Sequence, residues 1–339
     1  MNRPTISDLA RAAGVSVSTV DRVLNGRDPV RKPTAGRVLA AAAEIGFPLT
    51  GAIRKRLAPD RAAPVLGFLL QQKARPFYRL LAEAIVGACE AAEEGAVEPR
   101  IVHLEQLDPA HVAAEIDRLG KSVHALAIVA ANHPRVSEAI ERLQGRRIPV
   151  FALISELTAA DRIGYVGLDN WKVGRTAAWA IAQIAKRAGE VGIIVGSHRY
   201  RCQELNEMGF RSYFREHAPD FTLLEARTSL EDARYGAEAT RDLLARHPDL
   251  VGLYIAGGGV SGVMEALREN VRARIVAVGH DLTPRTREGL IDGTPELTLS
   301  HPLPALGKAL VGAMAQSALG ASAPASLVLP FELHTAENL

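Results

Sequence analysis

The chain has 339 residues, 47% of them hydrophobic and 23% charged, with a formal net charge of +2, the makeup of a soluble globular protein too long for one small core. No apolar run approaches the roughly 18 residues a membrane span needs, and the opening MNRPTISDLA lacks the apolar stretch of an export signal, so a cytoplasmic protein with no membrane contact is expected. Cys89 and Cys202, the two cysteines, stand far apart inside helical stretches and read as buried free thiols, which argues against a disulfide framework or a cysteine zinc site.

The average hides an asymmetry. Residues 1–61 carry eleven Lys/Arg against five Asp/Glu, a net +6, while the remainder carries twenty-nine against thirty-three, a net −4. A small basic head on a large acidic body fits a polyanion-binding module joined to a separate sensing or catalytic domain.

In chain order, the first element expected is a short helix capped by Thr5, with Asp8 near its positive end and Ile6, Leu9 and Ala10 on the buried stripe. Gly14 ends it, and Ser16 caps a second helix two residues later, whose Val20 and Val23, with Val15, can pack back on the first. Helix, glycine turn, helix is the helix-turn-helix pattern. Gly26, Asp28 and Pro29 make a loop, Pro33 suits a helical first turn, and Val38, Leu39, Ala42 and Ile45 give a third helix its apolar face. The basic linker that follows, Thr50 to Arg61, reads either as a flexible tether or as a helix that orders on DNA. In the second reading Leu57 wedges between base pairs in the minor groove while Arg54, Lys55 and Arg56 meet phosphates.

From Ala63 onward strands alternate with helices. Expected strands are Val65–Leu70, Arg100–Leu104, Ala125–Ala130, Pro149–Ile154, Val191–Gly196, Leu250–Ala256 and Ile275–Gly279, mostly continuous apolar runs as in parallel sheets covered on both faces. Helical stretches such as Phe77–Ala92, Trp171–Ala188, Gln203–His217 and Val260–Asn270 lie between them. So many units exceed one sheet, and two doubly wound parallel-sheet α/β subdomains fit better. The chain is expected to cross between them near Tyr165–Asp169, near Glu296–His301 and near Ser326, which makes a hinged cleft suited to a small ligand.

Gly257-Gly-Gly-Val-Ser-Gly fits G-x-G-x-x-G between a strand and a helix, with Asp281 closing the next strand about two dozen residues on. That pattern supports a rival reading, an NAD-dependent dehydrogenase, although the motif falls late in the chain and leaves the basic head without a role. A third reading, a ligand-binding receptor with no DNA role, leaves residues 1–61 unexplained and lacks an export signal. No catalytic constellation or metal-ligand spacing stands out, so an enzyme, a cofactor or a metal is not expected.

The segment Thr5-Ile-Ser-Asp-Leu-Ala-Arg-Ala-Ala-Gly-Val-Ser-Val-Ser-Thr-Val-Asp-Arg-Val-Leu-Asn-Gly strongly resembles the head of the lac repressor (LacI/GalR) family of bacterial transcription regulators. Asn170-Trp-Lys-Val-Gly-Arg-Thr-Ala-Ala and Val278-Gly-His-Asp resemble motifs of that family's periplasmic-binding-protein-like core. The resemblance implies an all-α helix-turn-helix head over 1–49, a hinge over 50–61, and an effector-binding and dimerising core over 62–339. Within the core it implies an N-subdomain of about 62–165 and 297–325 and a C-subdomain of about 166–296 and 326–339. It further implies a homodimeric repressor on near-palindromic operator DNA, controlled by a sugar or sugar-like polyol.

Carried over position by position, the resemblance puts Val17, Ser18 and Arg22 at base edges in the major groove, where the arginine fork can pair with guanine. Thr5, Ser16 and Asn25 match phosphate-contacting positions, which fix register. Three residues depart from the family pattern. Asp21 stands where most relatives have serine, and its carboxylate is repelled by phosphates unless Arg22 or a cytosine amino group engages it. Arg31 replaces a serine cap, and Arg54 replaces a hinge alanine.

In the core, Phe77 and Tyr78 are similar to the aromatic pair with which sugar-binding relatives cover a ring. Asp281 matches a carboxylate that accepts ligand hydroxyls, and His301, Ser155 and Asp169 stand at further polar positions, Asp169 equally suited to capping the next helix. Gly257 would let backbone approach the effector at a helix N-terminus. Asn206 occupies the place of an arginine common in sugar-binding relatives. Arg199 and Arg201 are therefore candidates to reach the cleft in its stead, and with them an anionic ligand stays open.

Overall fold

A computed structural model of the chain describes residues 4–25, 30–48, 63–92, 97–158, 164–270, 274–321, 324 and 326–339. It forms two compact units, Met1–Ala63 with Glu90–Val97, and Pro64–Cys89 with Glu98–Leu339. No helix of the described residues is long and apolar enough to cross a membrane.

The first unit holds α1 (Ile6–Ala13), α2 (Val17–Asn25) and α3 (Lys32–Glu44). Thr5 and Asp8 form a reciprocal capping box at the start of α1, each side chain taking up the other's free backbone N–H. Gly14 closes α1 in the left-handed region at φ 61°, its N–H reaching back to Ala10 and Arg11, a conformation in which an L side chain is strained. That turn aims α2 back across α1. Leu9, Ala10, Ala13, Val20, Val23, Leu24 and Val38 then close one apolar core, each large side chain worth roughly 1.5–3 kcal/mol on burial.

The second unit is built on two sheets. The first contains β1 (Val65–Gln71), β2 (Glu98–Leu104), β3 (Ala125–Ile128), β4 (Val150–Leu153), β5 (Gly164–Leu168) and β12 (Ser326–Leu329), in the order β12-β5-β4-β3-β1-β2 and parallel throughout. Its connecting helices are α4 (Pro76–Glu90), α5 (Pro109–Leu119) and α6 (Pro134–Gly145), and α12 (Leu303–Ala318) packs against it as well. The second sheet runs β13-β11-β10-β9-β6-β7, with β8 also on β6. It comprises β6 (Glu190–Val195), β7 (Thr222–Leu223), β8 (Arg227–Thr228), β9 (Leu250–Ile255), β10 (Val276–His280), β11 (Leu297–Ser300) and the antiparallel edge β13 (Glu332–His334). Helices α7 (Asn170–Ile184), α8 (Arg201–His217), α9 (Ala233–Arg246), α10 (Val260–Glu269) and α11 (Pro284–Asp292) accompany it. β1, β3, β4 and β9 are buried almost end to end, which is why their sequences run apolar without alternation.

The chain crosses between the sheets after β5, after β11 and, later than the expected Ser326, between β12 and β13, so each crossing follows a strand that the expected boundaries assigned to the other side. β5 completes the first sheet through Leu168, β11 belongs to the second sheet instead of opening the 297–325 return, and β12 rejoins the first. The N-terminal subdomain therefore ends near 168, and its return begins after Ser300 and closes with Leu329. The reason is hydrogen bonding: Leu297–Ser300 is buried along its whole length, and its backbone needs the β10 ladder before the chain can leave.

Candidate functional site

On the head, Ser16, Val17, Ser18, Arg22 and Asn25 all lie exposed, and Val17, at 49% exposure, is spared from the core. The opposite face of the same helix carries Val20, Val23 and Leu24 inward, so 3.6-residue periodicity alone leaves one polar ridge free. Ser16 caps α2 by accepting from the Thr19 N–H and also bonds the Ser18 and Thr19 hydroxyls at 2.9 and 2.8 Å. Asp21 is engaged by Asn25, not by Arg22: Asn25 Nδ2 donates to its Oδ1 at 2.6 Å, one helical turn along. Arg54, Lys55 and Leu57 lie outside the described residues.

The second unit holds a cavity of about 730 Å³ where the ends of both sheets face each other. Phe77, Tyr78, Ser155, Asn206, Gly257, Asp281 and His301 all line it, brought together from six separate places in the chain. Phe77 meets Tyr78 edge-on at 5.1 Å and leans on the His301 ring at 5.4 Å. Tyr78 is buried, and desolvation first, with the Glu231 carboxylate second, holds its phenol pKa well above the ordinary value. Ser155 follows Ile154, a β-branched residue at φ 67° whose side chain lines the same wall. The Ser155 hydroxyl accepts the Cys202 N–H at 3.3 Å. Burial pushes the Cys202 thiol up to about 12, so it is an inert wall atom.

Asp281 sits at φ 60° directly after β10. Its Oδ1 accepts the His301 backbone N–H at 3.1 Å and faces His301 Nδ1 at 2.7 Å. Burial alone would raise this carboxyl, but the His301 charge and hydrogen bonds outweigh it and the pKa is lowered. Burial instead drives the neighbouring His280 down to about 4, with Tyr254 hydroxyl 2.8 Å from its Nε2. Two buried cavity atoms, Asn206 Oδ1 and His301 Nε2, have no hydrogen-bond partner among the described residues. Orphaned polar atoms beside a carboxylate are what a polar ligand would satisfy.

The remaining expected residues lie elsewhere. Asp169 is the cap of α7, accepting the Lys172 N–H and pairing with its ammonium at 3.0 Å, and it is Asn170, bonded to the Tyr165 hydroxyl, that reaches the cavity. The Asp169 carboxylate is taken up at its own helix end by the Lys172 N–H and ammonium. Arg199 is exposed and Arg201 is paired with Glu204 at 2.8 Å; neither lines the cavity. Arg75, Arg79 and Arg285 do, and of these Arg75 reaches an acid, its Nη1 donating to Glu231 Oε2 at 2.6 Å. Gln203 completes the group, accepting the Gly196 and Ser197 N–H groups on Oε1 and donating to Glu231 Oε1. Arg75 stands two residues before the aromatic pair, but nothing in sequence marks Gln203 or Glu231, since their partners are remote in the chain. The same group corrects the dinucleotide reading. A Cβ on Gly257 would meet Gln203 Oε1 at 2.2 Å and one on Gly258 would meet Glu231 Oε2 at 2.1 Å. The backbone face that a pyrophosphate would need is thus covered by the chain's own side chains.

Comparison with known proteins adds to this geometry. Residues 5–48 match the bacterial regulatory proteins of the lacI family, and residues 66–322 match the periplasmic binding protein domain. The ribose operon repressor of Bacillus subtilis (strain 168) is 29% identical over 314 residues, 90% of this chain and 88% of that protein. The maltose regulon regulatory protein MalI of Escherichia coli (strain K12) is 27% identical over 343 residues, 92% of each. Among solved structures, GanP, a glucose-galactose binding protein from Geobacillus stearothermophilus, superposes with a TM-score of 0.75 at 21% identity, over 82% of this chain and 99% of that one.

Proposed function

Because the chain belongs to the lacI family of bacterial regulatory proteins, joining that family's head to a periplasmic binding protein domain, we propose that it is a cytoplasmic transcription repressor, no enzyme, whose operator affinity is set by a neutral sugar or sugar-like polyol bound between the two sheets. Two heads of a homodimer read the half-sites of a near-palindromic operator, since a two-fold protein needs a two-fold target. Val17, Ser18 and Arg22 meet bases, while Thr5, Ser16 and Asn25 meet phosphates. The hinge role is assigned to the linker 50–61, which lies outside the described residues. Ligand binding acts on the operator to the extent that it favours one arrangement of the subdomains over the other.

The observation that carries the ligand class is the set of polar groups in the cavity: the acceptors of the Asp281 carboxylate and the unpartnered Asn206 Oδ1, with the unpartnered His301 Nε2 beside them, faced by Phe77. Hydroxyl groups satisfy acceptors of this kind, and the C–H faces of a sugar ring suit the aromatic wall. Thermal-shift titration of the full-length protein with neutral pentoses, hexoses and polyols is the test, because ligand at about 100 times its Kd stabilises by roughly 2.7 kcal/mol. A saturable shift with one of them, together with a change in operator affinity, is expected. No shift with any of them, or a shift with no effect on DNA binding, overturns the reading.

A further inference from the structure

We propose that Glu231 is the specificity-determining residue of the cleft: its carboxylate is an internal anion that neutralises Arg75 and fills the place an acidic substituent of a ligand would take, so neutral ligands enter and sugar acids or phosphorylated sugars are refused. The inference rests on the effector-cleft reading above and deepens it.

Four observations converge. Arg75 is partly buried at 21% exposure and Glu231 is 9% exposed, and they meet at 2.6 Å across the cavity from opposite subdomains. Both carboxylate oxygens press on glycine backbone. A Cβ at Gly196 would fall 1.7 Å from Oε1 and one at Gly258 would fall 2.1 Å from Oε2, so side chains are absent where the carboxylate needs the room. The loop that delivers it is turned against ordinary preference. Leu230 and Glu231 both adopt left-handed conformations, at φ 49° and 64°, and the leucine side chain is left 61% exposed while the acid goes inward. Finally, the other lining cations are poorly placed to bind an anion on the floor. Arg79 donates to the Lys73 and Ala74 carbonyls and is exposed, as is Arg285. Against them the lining also carries Asp232, Glu265 and Asp281. With Glu231 in place, the Arg75 fork is already neutralised where an incoming carboxylate or phosphate would seat; without it, Arg75 is a fork with no partner acid.

The test uses full-length protein, Glu231→Ala and Glu231→Gln, with acetate and inorganic phosphate as probes and sodium chloride at matched ionic strength as control. Thermal shift and titration calorimetry should find no saturable response in the parent. Glu231→Ala should bind acetate at least tenfold more tightly than the parent does, because acetate refills the vacated carboxylate position. Glu231→Gln keeps the side-chain volume and the loop, and should gain phosphate binding by the same factor, so the inference stays testable if the alanine variant does not fold. Adding Arg75→Met to either variant should abolish the gain. A parent that binds either anion as tightly as the variants do, folded variants that bind neither, or a gain that survives Arg75→Met overturns the assignment. Neutral sugars play no part in these titrations, so a failure of the sugar reading would be seen separately, in the parent's sugar screen.

Discussion

Arg22 stands on the exposed ridge of α2, one turn after Val17 and Ser18, with its charge unpaired by Asp21, which Asn25 engages instead. Replacing it by alanine should relax base preference at one position of each half-site and weaken the cognate operator by about 1–3 kcal/mol. Fluorescence anisotropy against a set of half-site variants checks this; an unchanged preference would remove Arg22 from base reading. In the core, His280 gives a pH dependence of defined sign. Its pKa falls from the ordinary 6.5 to about 4 because burial disfavours the charged ring. Above pH 6.5 the ring is neutral in both folded and unfolded chains and adds no slope. Below it the unfolded chain takes the proton first, so stability drops progressively until about pH 4, by on the order of 3 kcal/mol in all. Urea midpoints from pH 7.5 to 4 should show a shallower decline in His280→Gln than in the parent. Parallel curves would mean that the ring titrates normally.

At the scale of elements, Gly174 and Gly209 serve helix packing. A Cβ on Gly174 would lie 1.9 Å from the Asn206 carbonyl oxygen, and one on Gly209 would lie 2.2 Å from that of Trp171. α7 and α8 therefore cross backbone to backbone, which fixes Asn170 and Asn206 at adjoining points of the cavity wall. Gly209→Ala should separate the helices and destabilise the second unit by roughly 1–3 kcal/mol, read as a lower urea midpoint with a loss of ligand affinity. A midpoint equal to the parent's would show that the crossing has slack. Sequence periodicity found these helices, but it could not tell a packing glycine from a ligand-facing one, because that depends on which backbone lies opposite.

Across the whole second unit, the cleft is spanned by polar contacts from side to side. Arg75 meets Glu231, Gln71 Nε2 donates to the Tyr200 hydroxyl at 2.8 Å, and the Asn132 N–H donates to the Arg199 carbonyl at 2.8 Å. Asp281 sits apart from these bridges, held by His301, with acceptor capacity to spare. Asp281→Ala should therefore spare operator binding while weakening the effector by about 1.5–3 kcal/mol, the scale of a hydrogen bond to a charged group. Operator titrations with and without ligand separate the two effects, and an unaltered ligand response would take Asp281 out of the site.

The head was legible from residues alone because its signals are local: the Thr5–Asp8 box, Gly14, the Ser16 cap and an apolar stripe all act within a turn or two of helix. The alternation of strands and helices was legible for the same reason, as was the candidacy of Phe77, Asp281 and His301 at strand ends. Which sheet claims β11 or β12, and the meeting of Arg75 with Glu231 across 156 positions, followed only from the folded chain. Long-range pairing is set by backbone hydrogen bonding and close packing between segments whose sequences carry no mark of one another.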